Sequence, residues 1–325
     1  MILDSGDIRL DRAIEALHTA MQEQQSVCLR QLGKMRAGEV RFGRALGNRK
    51  TKMDKLIEGI CRKAGQHCTG RHVLLIEDTS ELNYQRHAGR VRGLGVVGNG
   101  RDAGLFIHPV LAIDAQEHHC FGLAHIHWWQ RHGKKAANYR QLPIEDKESY
   151  RWIEAIEGAR ARLEAAQQMT VIADREADIY QLWDRLPDAR THVLIRVSRD
   201  RRLGGEQQTL FAWMDALECK GSYQLPLPAI TGQRSARVAQ MHIRFSPVSL
   251  ARPLHCSDAA ASAQVSAWAV DVREASTSIP HGDTPVHWRL LTSRAIALYP
   301  HLPSHQICCS QGVFLTRGLS HATRP

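Results

Sequence analysis

Apolar positions in the first sixty residues fall at intervals of three and four: Ile8, Ala13, Ile14, Leu17, Ala20 and Met21, then Met53, Leu56, Ile57 and Ile60. That period predicts one helix over 7–33, ended by Gly33, and a second over 51–64, in a small helical domain closing near Gly70. From His72 the pattern becomes short runs of β-branched and aromatic residues bounded by Gly, Asp or Asn, which predicts strands over 73–77, 105–113 and 120–128. A stripe of Trp152, Ile156, Ala159 and Leu163 predicts a helix over 145–166, with Glu148, Arg151, Arg160 and Arg162 on its polar side and Glu148 exposed at its start. It is followed by a strand ending at Asp174, a helix through Ile179, Trp183 and Leu186, and a strand over 192–197. Strands alternating with helices imply an α/β layer architecture. Residues 200–287 break into short alternating pieces (223–227, 238–245, 265–272) among Gly, Pro, Ser and Gln, which reads as a mostly β insertion before the strand at 288–291 rejoins the main sheet.

Charge sharpens this picture at one end. The chain of 325 residues carries a net +10, and residues 30–63 hold eleven Lys or Arg against three acids. A basic stretch is often only a solvated face, but this one precedes a candidate phosphoryl-transfer site, and phosphate-backbone contacts are the favoured reading. Apolar content of 43% and charged content of 23% are ordinary for a folded soluble protein. The eight cysteines include no C-x-x-C pair, so they read as reduced thiols of a cytoplasmic, nucleoid-associated bacterial protein, with no signal sequence or membrane-spanning run.

Two aspartates carry the candidate chemistry. Asp78 ends the run Val73-Leu74-Leu75-Ile76-Glu77, and Asp174 ends Thr170-Val171-Ile172-Ala173, so each places a carboxylate at the mouth of a short apolar strand. Hard oxygen ligands that leave positions open for phosphate suit Mg²⁺ or Mn²⁺. Glu77, adjacent to Asp78 on a strand, is expected on the opposite face. The glycine-rich stretch 93–104 leads into a strand rather than a helix, which argues for a strand connection over a nucleotide cradle. His118, His119, His125 and His127 lack a Cys or carboxylate spaced to complete a tetrahedral metal set, and Asp178 is expected to cap or orient the helix that follows it.

The succession of elements and several motifs resemble the DDE transposases of the insertion-sequence-four family. The matches are 76–84 (Ile-Glu-Asp-Thr-Ser-Glu-Leu-Asn-Tyr), 171–180 (Val-Ile-Ala-Asp-Arg-Glu-Ala-Asp-Ile-Tyr), Gly98-Asn99-Gly100-Arg101, His127-Trp128-Trp129, Lys147-Glu148-Ser149 and 288–293, with a weaker echo in Val40-Arg41-Phe42 and Asn48. The resemblance covers about residues 35–293. It implies an RNase H-like mixed sheet with flanking helices, bearing the mostly β insertion and preceded by a small N-terminal helical DNA-binding domain. The corresponding divisions are 1–70, 71–199, 200–287, a returning strand at 288–293, and an unpatterned tail at 294–325. It further implies cut-and-paste transposition through two Mg²⁺ or Mn²⁺ ions, which activate the nucleophile and steady the leaving oxygen of an in-line displacement. Asp78 and Asp174 would be the catalytic metal ligands. Arg41, Arg175 and Glu176 would lie at DNA, and Trp288 would accommodate a flipped base. The implied partners are double-stranded DNA, namely transposon terminal inverted repeats and target DNA, with a homodimer in intact relatives.

One departure limits that expectation. The family's third carboxylate lies in a helix soon after the 288–293 strand, yet no Asp or Glu follows Asp283, and Pro300 and Pro303 interrupt the tail. The tail is therefore expected to be translated out of frame, leaving a C-terminally truncated transposase with impaired strand cleavage. The alternative is a catalytically silent DNA-binding remnant that interferes with an intact transposase. A nuclease of another RNase H-like class would need Glu176 or Glu274 to complete its site.

Overall fold

A computed structural model of the chain describes residues 1–98, 100–131, 138–205, 208–232, 234–256, 258 and 260–296. Asn99 of the glycine-rich match and the tail from 297 onward, with Pro300 and Pro303, lie outside the described residues.

Four helices lead the chain: α1 (Ile8–Gln24), α2 (Leu29–Leu32), α3 (Arg36–Leu46) and α4 (Met53–His67). Asp7 caps α1 by accepting from the Arg9 and Leu10 amides. The single helix expected over 7–33 is thus two. Gln25 adopts a left-handed conformation at φ 48°, and the apolar stripe stops there, with Val27 exposed. Without a face to bury, the helix has nothing to extend it. Leu10, Ile14 and Ala45 pack with Ile2 and Leu3, and Leu17, Leu32 and Phe42 form a second small cluster. The last of the four, α4, packs Leu56 and Ile60 against the first cluster and also lies along the sheet. A Cβ on Gly65 would stand 2.7 Å from the Arg162 carbonyl, so the missing side chain allows close approach.

The remaining elements are β1 (His72–Glu77), β2 (Ser80–Asn83), β3 (Gly95–Val97), β4 (Asp102–Asp114), β5 (Cys120–Trp129), α5 (Arg151–Arg162), β6 (Gln168–Ala173), α6 (Tyr180–Arg185), β7 (Thr191–Arg196), α7 (Leu210–Ala216), β8 (Gly221–Leu227), β9 (Arg237–Ala251), β10 (Gln264–Glu274) and β11 (His287–Thr292). They build one large mixed sheet with flanking helices. Its first half runs β5-β4-β1-β6-β7, with β4 antiparallel to both β5 and β1, and with β1, β6 and β7 mutually parallel. The strand β11 adds antiparallel to β7 and carries β10, β9 and β8 in antiparallel order, so the insertion extends the main sheet.

The principal core lies on one face, where Val73, Leu75, Met169, Val171, Val193 and Ile195 meet Trp152, Ile153 and Ile156 of α5. The helix starts at Arg151 and is preceded by 3-10 turns at Ile144–Asp146 and Glu148–Tyr150, later than its expected start at 145. A second apolar cluster, with Tyr223, Met241, Ile243, Val272, Trp288 and Leu290, belongs to the insertion half.

Candidate active site

The site is assembled by register. Parallel strands β1 and β6 pair from His72↔Gln168 to Ile76↔Ile172, and Asp78 and Asp174 stand at equivalent positions two residues beyond that last pair. Adjacent strands lie about 4.8 Å apart, so residues 96 apart in sequence become neighbours. The break in the sheet at Asp78 has a local cause. Both β1 and β2 pair with β4 in one continuous register, Glu77↔Val110 and then Ser80↔Ile107, which sets Asp78 opposite Pro109. Proline has no N–H to offer a ladder, and the pairing lapses there.

Each aspartate is fixed by the turn that follows it. Asp78 Oδ1 accepts from the Thr79 amide at 2.7 Å, and Asp174 Oδ1 accepts from the Glu176 amide at 2.7 Å, capping the 3-10 turn Arg175–Ala177. Among the described residues neither Oδ2 has a hydrogen-bond donor, and both aspartates are exposed. Partial desolvation raises the proton affinity of the Asp78 carboxyl above the ordinary aspartate value, and the charge of Asp174 raises it further. The Thr79 amide and the Arg151 charge pull the other way. A carboxylate whose charging cost is raised by a second one beside it is an electrostatic demand for a cation.

Glu77 does face the opposite side, as its position next to Asp78 predicts. It is buried, with Oε2 3.1 Å from Nε2 of the equally buried His108. Burial pushes the Glu77 carboxyl well above the usual range and pulls His108 down to about 3. His108 is therefore neutral at pH 7, and its Nδ1 lies 2.9 Å from Thr79 Oγ1. The His108 ring stands edge-on to Trp152 at 4.5 Å.

Arg151, at the start of α5, lies between these loops. Its Nε donates to Thr79 Oγ1 at 2.9 Å, Nη1 to the Glu148 carbonyl at 2.9 Å, and Nη2 to Glu176 Oε2 at 2.7 Å. The guanidinium carbon is 5.3 Å from the Trp129 ring centroid and 5.4 Å from that of Trp152. Its place on the polar side of a helix gives no signal for these partners, which come from the turn after β1 and the turn after β6.

Arg175 is exposed beside Asp174. Burial and then the charge of Arg175 depress the pKa of Arg196. Glu176 is exposed and paired with Arg151. These residues join Asp78 and Asp174 in one corner, whereas two others do not belong to it. Arg41 is exposed on α3 in the helical layer, while its neighbour Phe42 is buried and unavailable as a DNA-facing aromatic. Trp288 is only 5% exposed, packed among Leu290, Val286 and Ile243. Strand alternation places it on the apolar face of the insertion half, so the open ring expected of a base-stacking residue is replaced by a core position.

The substitute acids are otherwise engaged. Glu274 is buried and held by Arg237 at 2.7 and 2.8 Å and by the Val286 amide. Asp178, expected to cap the following helix, instead accepts from the Ser198 and Arg199 amides and pairs with Arg201. Glu148 is not an open helix-start residue but accepts from Trp129 Nε1 at 3.0 Å and from Arg131. Among the described histidines, His125 meets Arg162 and His127 meets Glu154. No group of three His, Cys, Asp or Glu among the described residues surrounds a common point as a metal cage; the aspartates form a pair. No helix among the described residues is long and apolar enough to cross a membrane.

No protein-family model matches the chain. Over 90% of its length the chain is similar to a chain of the piggyBac transposase synaptic complex with hairpin DNA, determined by cryo-EM, at 11% sequence identity and a TM-score of 0.35. The overlap is 53% of that chain, so this protein spans about half the length of its match. Similarity at this level carries no argument about activity.

Proposed function

We propose that the chain is a DNA transposase of the insertion-sequence-four type, built for metal-dependent phosphodiester hydrolysis and strand transfer at transposon ends and impaired by the lack of a third carboxylate. The observation that carries this reading is the convergence of Asp78 and Asp174 at the ends of adjacent parallel strands. The order β5-β4-β1-β6-β7, antiparallel on one side of β1 and parallel on the other, supports an RNase H-like core. The motif resemblance supports the family.

The donor set fits a hard divalent ion. Two carboxylate oxygens without hydrogen-bond donors, in a partly dry corner where like charges oppose one another, favour Mg²⁺ or Mn²⁺ with water and phosphate oxygens completing the shell. When bound, such an ion supplies Lewis-acid activation of the attacking oxygen and stabilisation of the leaving one. The protein's part is to hold Asp78 and Asp174 in register, with the buried Glu77–His108 contact behind them. Arg30, Lys34, Arg36, Arg41, Arg44, Arg49, Lys50 and Lys52 are all exposed and form no ion pair among the described residues, which supports phosphate contacts by the leading helices.

The silent-remnant reading rests on a separate observation, the absence of any Asp or Glu after Asp283. Gel-shift and Mn²⁺-dependent nicking assays on terminal-repeat DNA separate the two. The transposase reading expects salt-sensitive binding together with slow nicking that Asp78→Asn abolishes. Binding with no nicking in Mn²⁺ transfers the chain to the remnant reading, and failure to bind DNA at low salt sinks both.

A further inference from the structure

Three groups outside the two aspartates stand out in the molecule: the arginines around buried Asp271, the cavity beside Trp213 and Trp268, and the hydrogen-bonded chain through Arg151. The first is a closed set of ion pairs around one carboxylate, and the second offers one buried indole N–H, Trp213 Nε1, and no charged group. The third connects directly to the candidate site.

Asp78 is oriented by the amide of Thr79, and Asp174 by the amide of Glu176. The side chains of those same two residues, Thr79 Oγ1 and Glu176 Oε2, are the acceptors for Arg151 Nε and Nη2. One planar guanidinium therefore ties together the two turns that aim the carboxylates. Its third arm is anchored on the Glu148 carbonyl, and its ring neighbours are Trp129 and Trp152. Thr79 is fixed from behind by His108, itself held by Glu77, so the network runs Glu77–His108–Thr79–Arg151–Glu176 across β1, β4, α5 and the turn after β6. Arg151 makes no hydrogen bond to either aspartate among the described residues.

We propose that Arg151 is a positioning residue that sets the separation of the Asp78 and Asp174 carboxylates, acting through Thr79 and Glu176. Its relevance to metal binding rests on the function proposed above; its effect on the two turns does not. The planar fork is essential to this role. A lysine ammonium keeps the charge but cannot present three donors in the fixed directions that reach Thr79, Glu148 and Glu176 together. Partners of this indirect kind typically change metal affinity by about 10- to 100-fold when removed.

The test uses the full chain, first without metal. In amide NMR spectra of Arg151→Gln, the Thr79 and Glu176 resonances both shift, and Arg151→Lys behaves like Arg151→Gln rather than like the wild type. Glu176→Ala, a change at an exposed residue that leaves folding intact, moves the Thr79 amide from across the network, whereas Glu176→Gln, which keeps an acceptor oxygen, does not. Titration with Mn²⁺ alone, read by calorimetry, then shows affinity about tenfold weaker in Arg151→Gln and in Glu176→Ala. Thr79 and Glu176 amides left at their wild-type positions in Arg151→Gln, with the Thr79 amide unmoved in Glu176→Ala, overturn the proposal, as does unchanged Mn²⁺ affinity in those variants. A wild-type chain that binds no Mn²⁺ overturns the metal reading of the site, and the amide shifts still decide the positioning role.

Discussion

Two acidic centres in this molecule are treated in opposite ways. Asp271, in the insertion half, has 0% exposure and is ringed by basic side chains from three strands: Arg273 at 2.6 Å, His287 at 2.7 Å, Arg244 at 3.7 Å and Arg289 at 3.8 Å. Asp78 and Asp174 are exposed, stand next to one another, and receive one backbone amide each. A buried charge is tolerated only when neighbouring groups answer it. Asp271 is answered by the protein itself, so it cements the insertion strands, while the unanswered pair at the ends of β1 and β6 leaves its charge for something that arrives from solution. Carboxylates matter to function here where the fold declines to neutralise them.

The contrast is broken most directly by exchanging the same chemistry at both places. Asp271→Ala leaves several arginines without their shared anion and is expected to cost about 3 kcal/mol of stability, while Mn²⁺ binding by the folded protein persists. Asp78→Asn is expected to do the reverse, with stability unchanged or slightly raised and Mn²⁺ binding lost. Chemical denaturation beside calorimetric Mn²⁺ titration checks both. Equal stability losses at the two sites would remove the distinction.

Trp288 tests the boundary between the regions at similar size. As a core residue, Trp288→Ala should destabilise by about 3 to 5 kcal/mol, measured by urea unfolding, and leave DNA affinity of the folded fraction as it was. A variant of full stability with weakened DNA binding would put the ring back at the nucleic acid.

Acidity should move the regions in opposite directions. Burial pushes the Glu274 carboxyl up, but the hydrogen bond from Arg237 and the Val286 amide outweigh it, and its pKa falls below the ordinary 4.5. That contribution is complete above the unfolded value and is lost as pH falls through the folded one. Asp78 and Glu77 have raised folded pKa values, so their contribution is complete below the unfolded values near 4 and is lost as pH rises through the folded ones. Hydrogen exchange between pH 7 and pH 4, corrected for intrinsic rates, should show the 237–251 strand loosening and the segment around 77–79 tightening. Parallel behaviour in both would mean that one of the two directions is misassigned.

The smallest effect belongs to the helical layer. Arg41→Ala removes one exposed cation, so stability should stay within about 0.5 kcal/mol, and the slope of log affinity against log salt for DNA should drop by about 1. An unchanged slope takes Arg41 off the phosphate backbone.

Much of this was legible beforehand because periodicity reports which face of an element is buried. The strands at 73–77 and 192–197 form where the apolar runs predict them, the first buried almost throughout and the second in alternation, and the returning strand does pair with β7. The failures share a cause. The α1–α2 break turns on one left-handed residue, Gln25, which a three-and-four pattern does not register. Phe42 and Trp288 lie in matched motifs, but whether an aromatic ring is covered depends on what packs across from it. Glu148 and Arg151 read as polar helix residues because their partners, Trp129, Thr79 and Glu176, are distant in sequence.

The sequence by itself determined that two apolar strands each end in an aspartate, and that Glu77 turns away from Asp78, because side-chain alternation is a local property of extended backbone. Tertiary structure alone decided that those strands are adjacent, parallel and in step, that Pro109 opens the sheet at Asp78, and that one arginine spans both turns. Strand pairing and burial are settled between distant segments, and no window along a single chain contains them.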